Sequence, residues 1–264
     1  MTNYDSLMID GDILLYSVGF ATDKEPPNFS CATLRSAIDN IIRAVGQGRH
    51  VEVKIALSGP TNFRKDVATL QKYKGNREDN PKPSNMKEMK DFLIRNYDVV
   101  ISEDEEADDL LGKFLTEDCP EVRIIATLDK DLDTIPGYHY NWKRKEFYDI
   151  SEMQACDNFI GQLLTGDTSD NIPGLYRITG KVATKSLKEY CKAGVEPCNK
   201  FSRVLELYYN HHNNRYRDND ESRTKIDSVV PVVAEIAELV WIRRSDIAHW
   251  SDLYVPKKVE DEET

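Results

Sequence analysis

The sequence predicts an α/β protein with a mainly parallel central sheet flanked by helices. Two observations carry this. Short β-rich runs (LMI at 7–9, VEVKIAL at 51–57, DVVIS at 98–102, VRIIAT at 122–127) alternate with helical apolar spacing at 31–45, 61–72, 84–96, 105–116 and 151–164. Strands separated by helices pair in parallel, and parallel sheets are covered on both faces. The segment 73–85, YKGNREDNPKPSN, is polar and proline-containing and reads as an exposed connection. No internal repeat occurs, and KKVEDEET at 257–264 reads as a frayed, disordered tail.

The chain has 264 residues, 40% hydrophobic and 31% charged, which suits one large globular domain or two small ones. Five cysteines (Cys31, Cys119, Cys156, Cys191, Cys198) include no CxxC pair, so neither a disulfide framework nor a zinc knuckle is indicated. A reducing, cytoplasmic setting fits best. The N-terminus carries Asp5, Asp10 and Asp12 in place of a basic region, and no 18-residue apolar run occurs, so neither secretion nor membrane insertion is expected. His211 and His212 lie in a polar stretch and receive no role; Trp142, Trp241 and Trp250 read as packing residues.

The net charge of −11 argues at first against a polyanionic partner. Counted by segment, nine Lys/Arg and five Asp/Glu at 61–95 give +4, three and thirteen at 96–136 give −10, and five and one at 174–192 give +4. The acids concentrate where predicted strands end. Asp10 follows LMI; Glu106, Asp108 and Asp109 lie beyond DVVIS; Asp129 and Asp131 follow VRIIAT; and LLTGDTSDNIPG adds Asp167 and Asp170. Ligands of parallel sheets bind beyond the carboxyl ends of the strands, so these eight carboxylates are expected to converge on one edge. Close pairs repel by about 4 kcal/mol at an effective dielectric of about 20, so such a group must take up protons or cations. Oxygen donors without His or Cys select Mg²⁺ or Mn²⁺ over Zn²⁺, and carboxylates too numerous for one octahedral ion point to two. Singly, Asp10 and Asp12 also suit turns, Glu106 to Asp109 a helix N-terminus, and Asp167 an N-cap.

Of two further local motifs, the first fails and the second leaves a distant alternative. DKDLDTIPGYHY starts as a calcium loop but has Thr134 where Gly is required and Tyr140 where the bidentate Glu belongs. IDGDILL with GDTSD is a distant match to haloacid-dehalogenase-type phosphatases, from which Leu14 and the short Asp167-to-Asp170 spacing depart.

Together, LMIDGD, NFRK followed by YKGNR, EEADDLLG, ATLDKDLDTIPG and LLTGDTSDNIPG resemble the 5′-nuclease superfamily. This comprises the 5′-nuclease domains of bacterial DNA polymerases, flap endonucleases and tailed-phage 5′-to-3′ exonucleases, the last being most similar. The blocks run in family order over 7 to about 192, about 70% of the chain. The resemblance implies a PIN-like α/β nuclease core at 1–165 with a helical arch at about 61–95, and a helix-three-turn-helix at 166–194. A mostly helical segment at 195–256 would pack on the core. It implies that Asp10, Glu106 and Asp108, with Asp109 beside them, surround a first metal, and that Asp129, Asp131, Asp167 and Asp170 surround a second. Lys74 and Arg77 would steer the scissile phosphate; Arg64, Lys65, Tyr73 (by stacking on a terminal base), Lys181, Lys185 and Lys188 would contact DNA. The implied activity is hydrolysis of DNA, or of an RNA primer, from a 5′ end of nicked, gapped or flapped duplex by two Mg²⁺ ions, with Mn²⁺ able to substitute. The implied protein is a cytoplasmic monomer, in the host cytoplasm if phage-encoded.

The chain departs from the family pattern twice. RITGKVA at 177–183 has Arg and Thr where glycines are usual, and LSGPTNFR has Ser58 or Gly59 near the position of an Asp that joins the first metal site. A catalytically impaired DNA-junction-binding protein is therefore the alternative reading. The lost carboxylate is expected to weaken the first metal or shift preference toward Mn²⁺. Metal titration of activity tests this; Mg²⁺ dependence as tight as that of a Ser58→Asp or Gly59→Asp variant would refute it.

Overall fold

The computed structural model describes residues 2–77, 80–175, 196–216 and 229–254, with the side chains of 211–216 also outside the description. These residues form two compact units, one drawn from Met1–Phe63, Asp79–Ala155 and Ile242–Asp246, the other from Arg64–Glu78, Cys156–Trp241 and Ile247–Thr264.

The first unit is built on a six-stranded sheet. In chain order it contains β1 (Ser6–Asp10), α1 (Gly11–Ala21), α2 (Pro27–Gly46) and β2 (Glu52–Leu57). With the next helix counted as α3 in the second unit, α4 (Met86–Asn96), β3 (Val99–Ile101), α5 (Ala107–Thr116) and β4 (Arg123–Ala126) follow. A 3-10 turn Lys130–Thr134, β5 (Gly137–Asn141) and β6 (Glu146–Ile150) complete it. The strand order is β3-β2-β1-β4-β5-β6, parallel except for the antiparallel β5–β6 hairpin.

Period-two alternation sets the layers. All of β1 is buried: Leu7 and Ile9 join Leu14, Leu34, Ile38 and Met89 of α1, α2 and α4 on one face, while Met8 joins Leu111 and Phe114 of α5 on the other. In α2 the buried Ser30, Leu34, Ile38, Ile41 and Val45 recur at helical spacing, and the helix ends at Gln47 in the left-handed conformation.

The four predicted strands are present, but α1 and the β5–β6 hairpin are additions. The hairpin is held by aromatic pairs, Tyr140 on Phe147 at 4.4 Å and His139 on Tyr148 at 5.1 Å. Burial pushes the His139 imidazole down to about 4, so it is neutral, with Nε2 3.0 Å from the Ile135 carbonyl.

The second unit is helical among its described residues: α3 (Arg64–Val67), a 3-10 turn Gly75–Arg77, most of α6 (Glu152–Thr165), α7 (Pro197–Tyr216), α8 (Val229–Val240) and α9 (Trp250–Tyr254). Its core is aromatic, with Phe159 stacked on Tyr254 at 4.6 Å and edge-on to Trp241 at 5.3 Å. The helix expected over 61–72 stops at Val67. The N–H groups of Thr69 and Leu70 donate instead to the Glu235 carboxylate at 2.7 and 2.8 Å, which replaces the helical acceptors. The segment 73–85 is not wholly exposed either: Tyr73 and Asn85 are buried.

The expected helical arch over 61–95 contributes to both units; all of it but residues 78 and 79 is described, as α3, the 3-10 turn, α4 and their connections. Most of the expected helix-three-turn-helix, and the tail, also lie outside the described residues. Among those described, no helix is long and apolar enough to cross a membrane.

In α5, a Cβ on Gly112 would press on the Arg243 carbonyl and on Ile242 Cγ2. Gly112→Ala is expected to cost about 1–3 kcal/mol despite the better helix propensity of Ala, read as a lower unfolding midpoint; an unchanged or higher midpoint would contradict this packing.

Candidate functional site

The carboxyl ends of the parallel strands β3, β2, β1 and β4 lie at one edge of the first unit's sheet, and the predicted acids of this unit gather there. Asp10 is both the last residue of β1 and the N-cap of α1; its Oδ1 accepts the Ile13 N–H at 3.0 Å and its Oδ2 the Thr127 hydroxyl at 2.8 Å. The residue is fully buried, and burial pushes its carboxyl up to about 7. The Ile13 and Thr127 hydrogen bonds oppose the shift, while the nearby charges of Asp12 and Asp129 add to it.

The network runs on through the β4 end. Asp129 N–H donates to Thr127 Oγ1 at 2.9 Å, and Asp131 N–H to Asp129 Oδ1 at 2.9 Å, capping the 3-10 turn. Ser58, which with Gly59 stands near the position where the resemblance implies a carboxylate, is a hub. Its N–H donates to Asp12 Oδ2 at 3.1 Å, its Oγ accepts the Ala107 N–H at 2.9 Å, and its carbonyl accepts Lys90 Nζ at 3.2 Å. Glu106 is the N-cap of α5 and its Oε1 accepts from Asn62 Nδ2 at 2.8 Å; Asp108 follows in the first turn, half-buried.

Asp109 behaves differently. It is fully buried; Oδ2 accepts the Glu106 N–H at 3.0 Å in a capping box and Oδ1 the Arg243 N–H at 2.9 Å. Both oxygens accept backbone N–H groups, which fastens the start of α5 to the 242–246 segment. Asp12, Thr127, Lys90 and Asn62 were not assigned roles from sequence. Asp12, Asn62 and Thr127 stand inside the IDGD, NFRK and ATLD blocks, the available signal; nothing marks Lys90.

The donors at this edge are oxygens, which suits a hard divalent cation, and a carboxyl raised by burial, with neighbouring acids adding to the shift, is one that positive charge would stabilise. Among the described residues, no three His, Cys, Asp or Glu side chains stand together closely enough to hold an ion in their present conformations.

The second unit carries Asp167, Asp170, Lys74 and Arg77. Gly166, at φ +64°, turns the chain out of α6 where a Cβ would strike the backbone of Ile172 and Gly174. Asp167 Oδ1 then accepts from Ser169 N and Oγ at 2.7 and 2.6 Å. Asp170 is ion-paired with Lys74 and Arg77. Two DNA contacts expected from sequence are corrected. Tyr73 is 5% exposed, its ring in the core of this unit, and no face is open to a base. Arg64 is buried at 2%; its Nε donates to the Leu239 carbonyl at 3.0 Å and its Nη2 to that of Trp241 at 2.6 Å, closing the C-terminus of α8. Lys65 is exposed, and Lys181, Lys185 and Lys188 lie outside the described residues.

The sheet order and its flanking helices define a 5′-nuclease fold. The chain is similar to a solved structure of the 5′-exonuclease of bacteriophage T5 with bound zinc, at a TM-score of 0.61 and 15% identity, over 89% of each chain. It is also similar to the bacteriophage T5 flap endonuclease in a complex with DNA and metal ions, at a TM-score of 0.51 and 15% identity, over 89% of this chain and 99% of that one. No protein-family model and no curated protein matches the chain in sequence.

Asp109→Ala strands two backbone N–H groups away from their acceptor and is expected to destabilise the fold by about 2–5 kcal/mol in denaturant unfolding. A cost below about 0.5 kcal/mol would contradict this fastening role.

Proposed function

We propose that this protein is a divalent-metal-dependent 5′-nuclease that hydrolyses phosphodiesters of DNA, and of RNA primers, from a 5′ end in nicked, gapped or flapped duplex. The observation that carries the reading is Asp10: a fully buried carboxyl at the end of the central strand, raised to about 7 and flanked by Asp12 and Asp129. The ionised form of that arrangement is unfavourable and is relieved by a proton or by a bound cation. The 5′-nuclease fold supports the same reading.

Asp10, Glu106, Asp108, Asp129 and Asp131 are the residues that would hold Mg²⁺ or Mn²⁺. Divalent ions supply charge stabilisation of a reacting phosphate and acidify water when bound. Asp10 is held in one orientation by Ile13 and Thr127, Glu106 by Asn62, and Asp129 by its cap on the Asp131 N–H. Such fixing lowers the reorganisation needed when charge develops. Lys74 and Arg77, 28% and 42% exposed in their side chains, are the cations available for a phosphate. The products would carry 5′-phosphates, and the working form would be a monomer.

Incubation of 5′-labelled nicked duplex with Mg²⁺ or with EDTA tests the reading. Label should be released only with metal, whereas Asp129→Asn or Asp131→Asn should lose at least 100-fold in cleavage while still binding DNA. Intact substrate under both conditions would favour the junction-binding alternative, for which the absence of a carboxylate at Ser58 and Gly59 is the specific observation; undiminished turnover in both variants would overturn the metal assignment.

A further inference from the structure

In the second unit, the loop 72–77 is tied to the loop 166–171 along its whole length. Lys74 N–H donates to the Asp170 carbonyl at 2.8 Å, Asn76 Nδ2 to Thr168 O at 2.8 Å, Arg77 Nε to Ser169 O at 2.7 Å, and Asn171 Nδ2 to Lys72 O at 2.9 Å. Lys74 sits at φ +54°, a conformation disfavoured for a side chain with a Cβ and kept by surrounding contacts. Within this seam the Asp170 carboxylate meets Tyr73, Lys74 and Arg77. Oδ2 accepts the Tyr73 hydroxyl at 2.9 Å and lies 3.6 Å from Lys74 Nζ, and Oδ1 pairs with Arg77 Nη2.

We propose that Asp170 is a positioning residue for a phosphate grip formed by Lys74 and Arg77, and not a ligand of a metal ion. The proposal rests on the nuclease reading above and assigns one of its acids a different task. Two cations on neighbouring loop positions repel each other and spread apart. One carboxylate set between them, with only 16% of its side chain exposed, holds both, and fixes the planar guanidinium as well as its charge. The group Lys74, Arg77 and Asp170 carries a net +1, the complement of one phosphodiester anion. Arg77 spends Nε and Nη2 within the protein, which leaves further donors of its five on a half-exposed guanidinium for phosphate oxygens. Tyr73, anchored in the core, fixes the carboxylate from the protein side. A divalent ion on the same carboxylate would be opposed by both cations and would have to displace them.

The test uses the full chain and the variants D170N, D170E and R77A. Mn²⁺ binding is measured by calorimetry without DNA, nicked-duplex binding in EDTA at several salt concentrations, and kcat and KM with Mg²⁺. Expected for D170N are an unchanged number of bound Mn²⁺ ions with Kd within twofold, and a loss of at least tenfold in kcat/KM. Its salt dependence of DNA binding should be shallower by about one phosphate contact. D170E should recover most of that loss, and D170N should cost less in an R77A background than in wild type, the remainder being its hold on Lys74. One fewer Mn²⁺ ion in D170N, or kcat/KM equal to wild type, would overturn the proposal. Should D170N fail to fold by circular dichroism, R77A and D170E carry the same comparison, and strictly additive effects would overturn it. Wild-type protein that cleaves nothing with metal removes the nuclease reading instead, while the salt slopes still test the grip.

Discussion

A carboxylate enclosed at the end of a central strand is expensive to ionise, and the first unit is arranged around that expense. Asp10 ends β1, whose residues are buried on both faces, and at once begins α1 through the Ile13 N–H. Its other oxygen reaches across to Thr127 at the end of β4, and Thr127 in turn takes the Asp129 N–H. The junction of strand and helix, the pairing of two strands and the start of the acidic 3-10 turn therefore share one side chain. Hydrogen bonds offset part of the desolvation, and neighbouring acids work against it. Stability is given up at a point where a cation can restore it, as is common at active sites.

The second unit handles charge in the opposite way, cancelling it internally. Arg64 closes a helix end, Lys200, 2% exposed in its side chain, pairs with Asp157, and Asp170 gathers two cations. Buried pairs of this kind contribute little net stability, but breaking one leaves a charge uncompensated, so they penalise alternative arrangements of loops. The aromatic core around Phe159 supplies the cohesion and the ion pairs select the geometry.

The sheet was largely legible in the sequence because β1 to β4 are short apolar runs bounded by acids, the pattern of strands buried on both faces. Helix α1 was missed because its exposed positions carry Tyr16 and Phe20, which blur the periodicity of the buried Leu14, Leu15 and Val18. The hairpin was missed because aromatic residues and a buried histidine, flanking the charged Lys143–Glu146 stretch, build it in place of aliphatic alternation. Acids could be located by where strands end, but their tasks could not be separated. What distinguishes Asp109 from Asp10 is the Arg243 N–H, 134 residues away, and what ties down Asp170 is a loop about a hundred residues earlier. Tyr73 and Arg64 looked like DNA contacts for the same reason: residue type reveals a capacity, whereas burial decides its use.

The bond from Arg64 to the Leu239 carbonyl spans 175 residues, and the Asp109 bond to Arg243 binds α5 to a segment from the same late part of the chain. During synthesis at about 5–20 residues per second, neither unit can be finished until residues beyond about 240 have left the ribosome, although most of the sheet is available long before. For many seconds the nascent chain holds strands whose covering and capping groups do not yet exist. The last ties of both units, at Arg64 and at Asp109, therefore form late and almost together.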